Sequence, residues 1–328
     1  MCVLATTKRF FVRHSLRNRR IPILIAVVLT ITVGMVHASQ GAEKVVRLVT
    51  LDVSDNLYLL RGNDTNILAL VAETGIVLVD TLGQGWGPAI RSALNNITAL
   101  PVTTIINTHA HESHSGGNLE FQSVVEILAH ENTKSQMERM EIFQGPNARF
   151  LPTETFRESM TLLDDIDRIE LHHFGVAHTN GDVVVVFPEK GIAYLGDLFA
   201  RTGVPRVDRN LGGSGVAYPN TLQQTLKEIE YFSEFVRGPE IRTFDRVVPG
   251  HQVPPDDTPL LSWFTWGDLE TYVNFTKSLV EVVEGSKSTG DTVDEAVVLV
   301  EALVNQYPGY VSDGSEAIIE TIFSELED

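Results

Sequence analysis

The sequence predicts an α+β protein in which two β-sheets pack face to face between two outer layers of helices. Short apolar runs rich in β-branched residues are followed by segments with helical spacing, and this order occurs twice along the chain. Sheets and amphipathic helices both need a partner for their apolar face, so two such halves stack as four layers. Additional helices are expected at the C-terminal end.

The first half is predicted to begin with a meander of four short strands separated by Asp, Asn and Gly turns. These strands are expected at residues 45–51, 57–60, 67–71 and 76–79. A helix over 86–100, stopped by Pro101, precedes a buried strand at 102–106. A further strand at 124–129, a polar helix at 130–142 and a loop at 145–152 complete this half.

The second half repeats this order of strands and then helices. Strands are predicted at residues 159–163, 169–173, 183–187, 192–195 and 246–248, with a helix at 221–236. Closing helices are predicted at residues 266–283, 293–304 and 317–326. The domain organisation expected is therefore a main domain at 43–258 and a C-terminal helical region at 259–328 that packs on it.

The N-terminal segment has the layout of a secretory signal peptide, predicted at residues 1–38. Residues 1–20 contain six basic and no acidic residues, residues 21–36 are apolar, and a small-residue cleavage pattern ends at Ala38. We therefore expect a periplasmic or secreted protein. The alternative is an uncleaved anchor, although the sixteen apolar residues fall short of the roughly 20 that a spanning helix needs. Membrane association is expected only in that case.

Charge and cysteine content limit the possible partners and ligands. Without residues 1–38 the chain has 19 basic and 43 acidic side chains, a formal net charge of −24. Such a surface repels nucleic acid and anionic membrane, and it mostly indicates solubility rather than a specific partner. The partner expected from the predicted function is a small-molecule substrate. The single cysteine, Cys2, lies in the predicted signal peptide, so a metal site in the mature protein must use histidine and carboxylate. Nothing in the sequence specifies an oligomeric state.

Three histidines follow the predicted strand at 102–106 within six residues: His109, His111 and His114. In extended backbone, His109 and His111 project to the same side. Imidazole is the commonest nitrogen ligand of Zn²⁺ in proteins. A cluster of this kind where a strand ends predicts a metal site on a rigid scaffold.

Three more residues of metal-ligand type occupy similar positions after apolar runs: His178, Asp197 and His251. Strand ends can converge at one edge of a sheet sandwich, so these residues are candidates for the same site. The remaining histidines are interpreted as unrelated to it. They are His14 and His37 in the N-terminal segment, His130 at the start of a helix, and the strand pair His172 and His173.

The order of these motifs resembles the metallo-β-lactamase superfamily. The motifs are His-x-His-x-x-His at 109–114, Ala-His-Thr-x-Gly-Asp at 177–182, Gly-Asp at 196–197 and Pro-Gly-His at 249–251. The segments 66–68, 78–81, 116–118 and 211–214 also resemble exported members. The resemblance extends over about residues 45–328 and implies the four-layer αββα sandwich of that family together with a zinc-dependent hydrolase activity.

Transferred residue by residue, the resemblance implies two zinc sites. The first zinc is held by His109, His111 and His178, the second by His114 and His251, and Asp197 bridges them. Asp80 is expected to orient ligands from behind.

One position departs from the family, which usually has Asp immediately before the third histidine, where this chain has Ser113. We therefore expect one firmly bound Zn²⁺ and a weaker second one, since a neutral hydroxyl replaces an anionic ligand.

The expected function is a hydrolase that uses a metal-bound hydroxide on an ester, thioester, lactone or lactam carbonyl, with His109, His111, His114 and Asp197 central to catalysis. The bridging Asp197 resembles glyoxalase II-like and lactonase-like members, which favours esters, thioesters and lactones. The three-histidine first site with His114 resembles the cysteine-free β-lactamases, which form the first alternative. The second is a metal-binding periplasmic module without turnover, suggested by Ser113. The loop at 210–215, Trp86 and Tyr218 are weaker candidates for shaping the substrate pocket.

Overall fold

The computed structural model describes residues 44–52, 56–231, 246–251 and 263–327. From Lys44 onward the chain forms one compact unit. The predicted signal peptide at 1–38 lies outside the described residues. No helix in the described ranges is both long enough and apolar enough to cross a bilayer.

The first β-sheet has seven strands that lie side by side in chain order. Strands β1 to β4 form the predicted meander of antiparallel neighbours, whereas β5, β6 and β7 each join the preceding strand in parallel. The strands are β1 Val46–Asp52, β2 Leu57–Gly62, β3 Thr65–Val71, β4 Ile76–Val79, β5 Val102–Ile106, β6 Glu126–His130 and β7 Glu154–Phe156.

The second β-sheet has five strands in the spatial order β12-β11-β10-β9-β8. Its strands are antiparallel except for β12, which pairs in parallel with β11. The strands are β8 Ser159–Leu162, β9 Ile169–His172, β10 Val184–Phe187, β11 Ile192–Tyr194 and β12 Arg246–Val248.

Helices cover the outer faces of both sheets. They are α1 Gly87–Asn95, α2 Glu112–Ser115, α3 Glu131–Met137, α4 Tyr218–Tyr231, α5 Trp266–Thr289, α6 Val293–Val304 and α7 Ser315–Glu325. Short 3₁₀ turns connect several of these elements. Helices α5 and α6 both begin with a capping box, at Thr265 and Thr292, in which side chain and backbone exchange hydrogen bonds.

The alternation of side chains along the strands explains the four layers. In β2, Leu57 and Leu59 face the second sheet, whereas Leu60 faces the layer that contains α1. A central apolar cluster joins the inner faces of the two sheets, and one further cluster fills the space beneath the helices on each outer side. The predicted αββα sandwich with added C-terminal helices is therefore confirmed.

Several element boundaries differ from the prediction, and β7 was not predicted at all. Helix α1 ends at Asn95 rather than at residue 100, and α3 ends at Met137 rather than at residue 142. Helix α5 continues past Val283 to Gly290, where a backbone φ of 83° ends it, because backbone hydrogen bonding does not require an apolar face. The predicted end of α4 lies beyond the last described residue of that segment.

Parallel strand pairs bring the candidate residues to one edge of the sandwich. In the first sheet, the Asp80 backbone N–H donates to Ile106 O at the end of β5 (2.8 Å). In the second sheet, Leu195 N–H donates to Val248 O at the end of β12 (3.1 Å). A bond from Val183 N–H to Thr108 O (2.9 Å) links the edges of the two sheets. The loops that follow these strands are thereby held next to one another.

Truncation of an inner-face side chain should destabilise the sandwich strongly. Leu171 in β9 is fully buried in the cluster between the sheets, so Leu171→Ala should lower the free energy of unfolding by about 2–5 kcal/mol. Leu299→Ala on α6 is a matched control because Leu299 is 44% exposed, and it should stay within about 0.5 kcal/mol of the wild type. Urea denaturation measures both, and equal effects would contradict the assigned core.

Candidate metal centre

All six predicted ligands lie together at this edge of the sandwich, in two groups that share Asp197. The first group is His109, His111 and His178 with Asp197, and the second group is His114 and His251 with Asp197. Within each group the candidate ligand atoms lie within 4.8 Å of one another. The fold thus brings His109 and His251 together although they lie more than 140 residues apart in the sequence.

In the first group the ring nitrogens converge on one point. His111 Nδ1 lies 3.0 Å from His178 Nε2. Asp197 Oδ2 lies 3.6 Å from His178 Nε2 and 3.9 Å from His109 Nε2. Three imidazoles and one carboxylate oxygen form a donor set that suits a borderline metal ion such as Zn²⁺.

The second group faces the other oxygen of the same carboxylate. His114 Nε2 lies 3.4 Å from Asp197 Oδ1. His251 Nε2 lies 3.2 Å from each Asp197 oxygen. Asp197 therefore has the position of a bridge between two cations.

Hydrogen bonds behind the first group fix which nitrogens carry protons. His178 Nδ1–H donates to Arg206 O (2.8 Å), and His111 Nε2–H donates to the Asp208 carboxylate (2.9 Å). The nitrogens on the opposite side of each ring then present lone pairs to each other at 3.0 Å. Two lone pairs at this distance repel unless a cation lies between them, so the arrangement fits a metal ion.

Asp80 organises the remaining imidazoles from a fully buried position. Its Oδ2 accepts from His114 Nδ1–H (2.8 Å) and from the Thr108 hydroxyl (2.8 Å), and that hydroxyl accepts from His109 Nδ1–H (3.1 Å). Tyr194 O–H also reaches Asp80 Oδ2 (3.0 Å). The backbone of Asp80 has a φ of 62°, an uncommon value for a residue other than glycine.

Several polar atoms that face the centre are buried without a hydrogen-bond partner. They are His109 Nε2, His114 Nε2 and Asp197 Oδ1. Buried polar atoms are nearly always satisfied, so an orphaned set that converges on one point indicates a ligand. The donor set and these orphaned atoms both fit metal ions.

Gly250 is required by the close approach of two loops. A Cβ atom at this position would lie 2.2 Å from Asp197 Oδ1, a distance that no side chain tolerates. Asn66 holds the same loop through its N–H to Gly250 O (2.8 Å) and its Nδ2 to Pro249 O (2.9 Å). These contacts place His251 beside Asp197 and explain the Pro-Gly-His sequence.

The two groups differ in how readily their imidazoles hold a proton. Burial alone lowers the pKa of His114, but the carboxylates of Asp197 and Asp80 outweigh it and raise the pKa to about 10. Burial also lowers the pKa of His251, but the Asp197 carboxylate outweighs this effect and raises the pKa to about 9. In contrast, burial and neighbouring imidazoles hold the pKa of His109 well below its usual value and lower that of His111.

Asp197 is ionised in this environment. Burial raises the pKa of a carboxyl group, but the positive charges of His114 and His251 oppose this effect. The net result is a pKa well below the usual value for aspartate. The carboxylate thus presents a full negative charge to both groups.

Other predicted residues lie elsewhere. Ser113 is exposed and belongs to neither group, and Glu112 beside it is also exposed. Trp86 packs in the apolar cluster beneath α1. Tyr218 is buried, and its hydroxyl lies 3.1 Å from Asp197 O and 3.0 Å from Leu198 O. Both side chains are buried in the interior, and their role in shaping a substrate pocket stays a prediction.

Sequence reasoning missed Asp208, Thr108 and Tyr194. Asp208 Oδ1 accepts from Asn210 N–H and Leu211 N–H, a local cap that its loop position could have indicated. Its bond to His111 spans 97 residues and has no sequence signal. Thr108 directly precedes His109, so the sequence could have predicted that it lies near the site. Its role between Asp80 and His109 has no sequence signal.

A cavity of about 590 Å³ opens beside the first group. Its walls are His111, His178, the segment 206–210 and one face of α7. The apolar members among these lining residues are Val207 and Ala317, and the others are polar or charged. A cavity of this size accommodates a small organic molecule next to the candidate metal ligands.

Comparison with known families agrees with this geometry. The sequence model of the metallo-beta-lactamase superfamily matches residues 60–237. The chain belongs to the metallo-beta-lactamase superfamily. The matched range contains every member of the two groups except His251, and it leaves α5, α6 and α7 outside.

Solved metallo-β-lactamases share the fold. A metallo-beta-lactamase from Pontibacter korlensis has a TM-score of 0.52 and 19% identity, covering 71% of this chain and 99% of its own. FIM-1 from Pseudomonas aeruginosa, in its mono-zinc form, has a TM-score of 0.55 and 16% identity, covering 73% of this chain and 98% of its own. At these identities the likeness shows the fold alone.

A curated relative is similar in sequence over part of its length. The 2,4-dinitroanisole O-demethylase subunit alpha of Nocardioides sp. (strain JS1661) is 27% identical over 164 residues, which is 48% of this chain and 48% of that protein. The chain thus aligns with about half the length of this relative.

The difference in pKa between the two groups predicts a difference in proton release on metal binding. Near pH 7.5 the second group retains protons on His114 and His251, with pKa values of about 10 and 9, whereas His109 and His111 are neutral. An ion bound by the second group should therefore displace about two protons, and an ion bound by the first group should displace few.

Isothermal titration with Zn²⁺ in buffers of different ionisation enthalpy measures these protons. The affinity of the second group should rise with pH until about pH 10, because protons on His251 and then on His114 compete with the metal below that value. Equal proton release in both binding steps would contradict the pKa assignment.

Proposed function

We propose that this superfamily member is a zinc-dependent hydrolase of esters, thioesters or lactones. The proposal depends chiefly on one observation: the buried Asp197 carboxylate lies between the two groups of imidazoles and belongs to both. This arrangement provides two adjacent cation positions that share one anionic ligand, which suits metal-assisted hydrolysis. Zinc is proposed as the metal because the donors are imidazole nitrogens and a carboxylate.

The residues would act as follows. His109, His111 and His178 hold the first ion, and His114 and His251 hold the second. Bound zinc supplies a water whose pKa is lowered to about 7 and a Lewis acid for the substrate carbonyl. Asp197, ionised because its pKa is well below the usual value, can accept a hydrogen bond from the attacking water and aim its lone pair at the carbonyl carbon.

The hydrolytic step needs no side-chain nucleophile. Water adds to the carbonyl carbon, the bond to the alcohol or thiol breaks, and the proton passes to the departing oxygen or sulfur. The cavity beside His111 and His178 is the proposed position of the rest of the substrate.

A β-lactamase activity is the alternative within hydrolases. The solved neighbours include β-lactamases, and the imidazole set of the first group suits either chemistry. We favour esters, thioesters and lactones because the Asp197 carboxylate lies between the two cation positions, which resembles the bridging carboxylate of glyoxalase II-like and lactonase-like members. The curated relative adds 2,4-dinitroanisole as a compound worth testing.

Export is part of the proposal. The N-terminal charge pattern and apolar segment support a signal peptide with cleavage near Ala38, which places the enzyme in the periplasm or outside the cell. The acidic mature chain argues against a nucleic-acid substrate.

A substrate panel tests the proposed class. We expect kcat/KM of the zinc-loaded protein to be higher for a p-nitrophenyl ester, an acyl thioester or a lactone than for nitrocefin, with 2,4-dinitroanisole as a fifth member. Asp197→Asn should lower the activity by at least about a hundredfold, because it removes the charge that both ions share. Nitrocefin turnover above every ester, thioester and lactone would instead support the β-lactamase alternative.

Ser113 motivates the second alternative, a metal-binding module without turnover, and it can be tested directly. Ser113→Asp should tighten binding of the second zinc by about tenfold or more, since it adds an anionic ligand candidate. Ser113→Asn is the matched control, with a similar shape and no charge, and should leave the affinity within about twofold of the wild type. Competition with a chromophoric chelator measures both variants.

The outcome also separates the alternatives. A wild type that is inert on the panel, together with an Asp variant that gains both a second zinc and activity, would identify the natural protein as a non-hydrolysing member. Equal second-zinc affinity in the Asp and Asn variants would show that position 113 does not reach the metals.

A further inference from the structure

One short loop segment orients two of the three imidazoles of the first group. Arg206 contributes its backbone carbonyl to His178 Nδ1–H, and Asp208 contributes its carboxylate to His111 Nε2–H. Both bonds depend on the position of the same three residues. Anything that fixes this segment therefore fixes the direction of two metal-facing lone pairs.

The loop that continues from this segment, residues 206–217, is bonded to the connection between β9 and β10, which contains His178. Asp208 N–H donates to His178 O (2.9 Å), and Ser214 N–H donates to Ala177 O (2.9 Å). Gly213 N–H returns to Asp208 O (2.8 Å), which closes the loop on itself. The loop thus behaves as a rigid connection between Ser214 and the first group.

Glu325, the last residue of α7, holds the far side of this loop. Its carboxylate accepts from the Ser214 hydroxyl (2.6 Å), Gly215 N–H (2.9 Å) and Val216 N–H (3.2 Å). It also lies 3.6 Å from Arg209 Nη1. The Glu325 side chain is only 14% exposed, so water cannot readily replace it as the acceptor for these donors.

Helix α7 lies outside the range matched by the superfamily model, which ends at residue 237. It nevertheless forms one wall of the cavity beside His111 and His178. Its buried face, with Ile318, Ile319 and Ile322, packs in the apolar cluster of the second sheet. The helix is therefore rigidly anchored and able to hold a loop in place.

We infer that Glu325 is a positioning residue for the first metal-binding group, acting from α7 through the loop at 206–217 on Asp208 and Arg206. Loss of its carboxylate releases three donors of the loop, so Asp208 and Arg206 no longer hold His111 and His178 in a single orientation. The inference rests on the proposed metal centre and is independent of which substrate is hydrolysed.

The test measures metal affinity and ligand geometry rather than activity. The full-length protein is stripped of metal, and Zn²⁺ affinity is measured by competition with a chromophoric chelator, alongside the visible absorption of the Co²⁺ form. The variants are Glu325→Gln, the positive reference Asp208→Asn, and the control Glu316→Gln. Glu316 is an exposed residue of the same helix, so its variant makes the same charge change away from the loop.

We expect Glu325→Gln to weaken the tighter Zn²⁺-binding step by about threefold to thirtyfold and to change the Co²⁺ absorption in the same direction as Asp208→Asn. Asp208→Asn should weaken that step by about tenfold to a hundredfold, as removal of a direct partner of a ligand usually does. Glu316→Gln should stay within about twofold of the wild type in affinity and leave the spectrum unchanged.

A double-mutant cycle with Ser214→Ala separates positioning from general destabilisation. If Glu325 acts through the loop, the combined Glu325→Gln and Ser214→Ala variant should lose less affinity than the sum of the two single losses. Wild-type affinity and an unchanged Co²⁺ spectrum in Glu325→Gln would overturn this inference and leave the metal centre intact. Absence of Zn²⁺ binding by the wild type would overturn both the inference and the proposed function.

Discussion

The site depends on one buried carboxylate, Asp197, which contacts imidazoles on both of its sides. An isolated carboxylate in the interior costs several kcal/mol, and Asp197 is 7% exposed. Its pKa nevertheless lies well below the usual value, because His114 and His251 stabilise the charge. The negative charge is therefore available to hold cations. The carboxylate also makes the two imidazole groups parts of one centre.

The sandwich delivers these side chains because parallel strands end at a common edge. Strand β4 pairs with β5 and β11 pairs with β12, so the residues that follow each pair are neighbours. The bond from Val183 N–H to Thr108 O joins the edges of the two sheets. The glycine at position 250 then permits the His251 loop to approach Asp197 more closely than any side chain allows. The strand pairing, the bond between the sheets and the approach at Gly250 are all properties of backbone geometry. The metal-ligand residues occupy loop positions that this geometry brings together.

Much of this was predictable from the sequence, and the reasons are physical. Strand ends are readable from short β-branched runs, so the positions of His109, His178 and Asp197 after such runs indicated convergence. Asp80 was also expected behind the ligands, and its bond to His114 agrees. The partner of His111 was not readable, because the bond to Asp208 depends on how a distant loop folds back.

The helix ends that differ from the prediction share a common cause. Helices α1 and α3 end before their predicted last residues, and α5 continues past its own, since local hydrogen bonding at the helix end decides where a helix stops. Strand β7 has three residues and pairs with β6 at the edge of the sheet, so it lacks the apolar run that marks a strand in sequence. Trp86 and Tyr218 were weaker candidates for shaping a pocket, and both side chains are buried in the interior.

The central claim is that two cations share Asp197, and anomalous diffraction from crystals of the zinc-loaded protein, recorded on both sides of the zinc absorption edge, tests it most directly. The account predicts a strong peak among His109, His111 and His178, and a weaker peak between His114 and His251, with Asp197 between them. A single peak at the second group alone, or zinc held elsewhere on the protein, would contradict it.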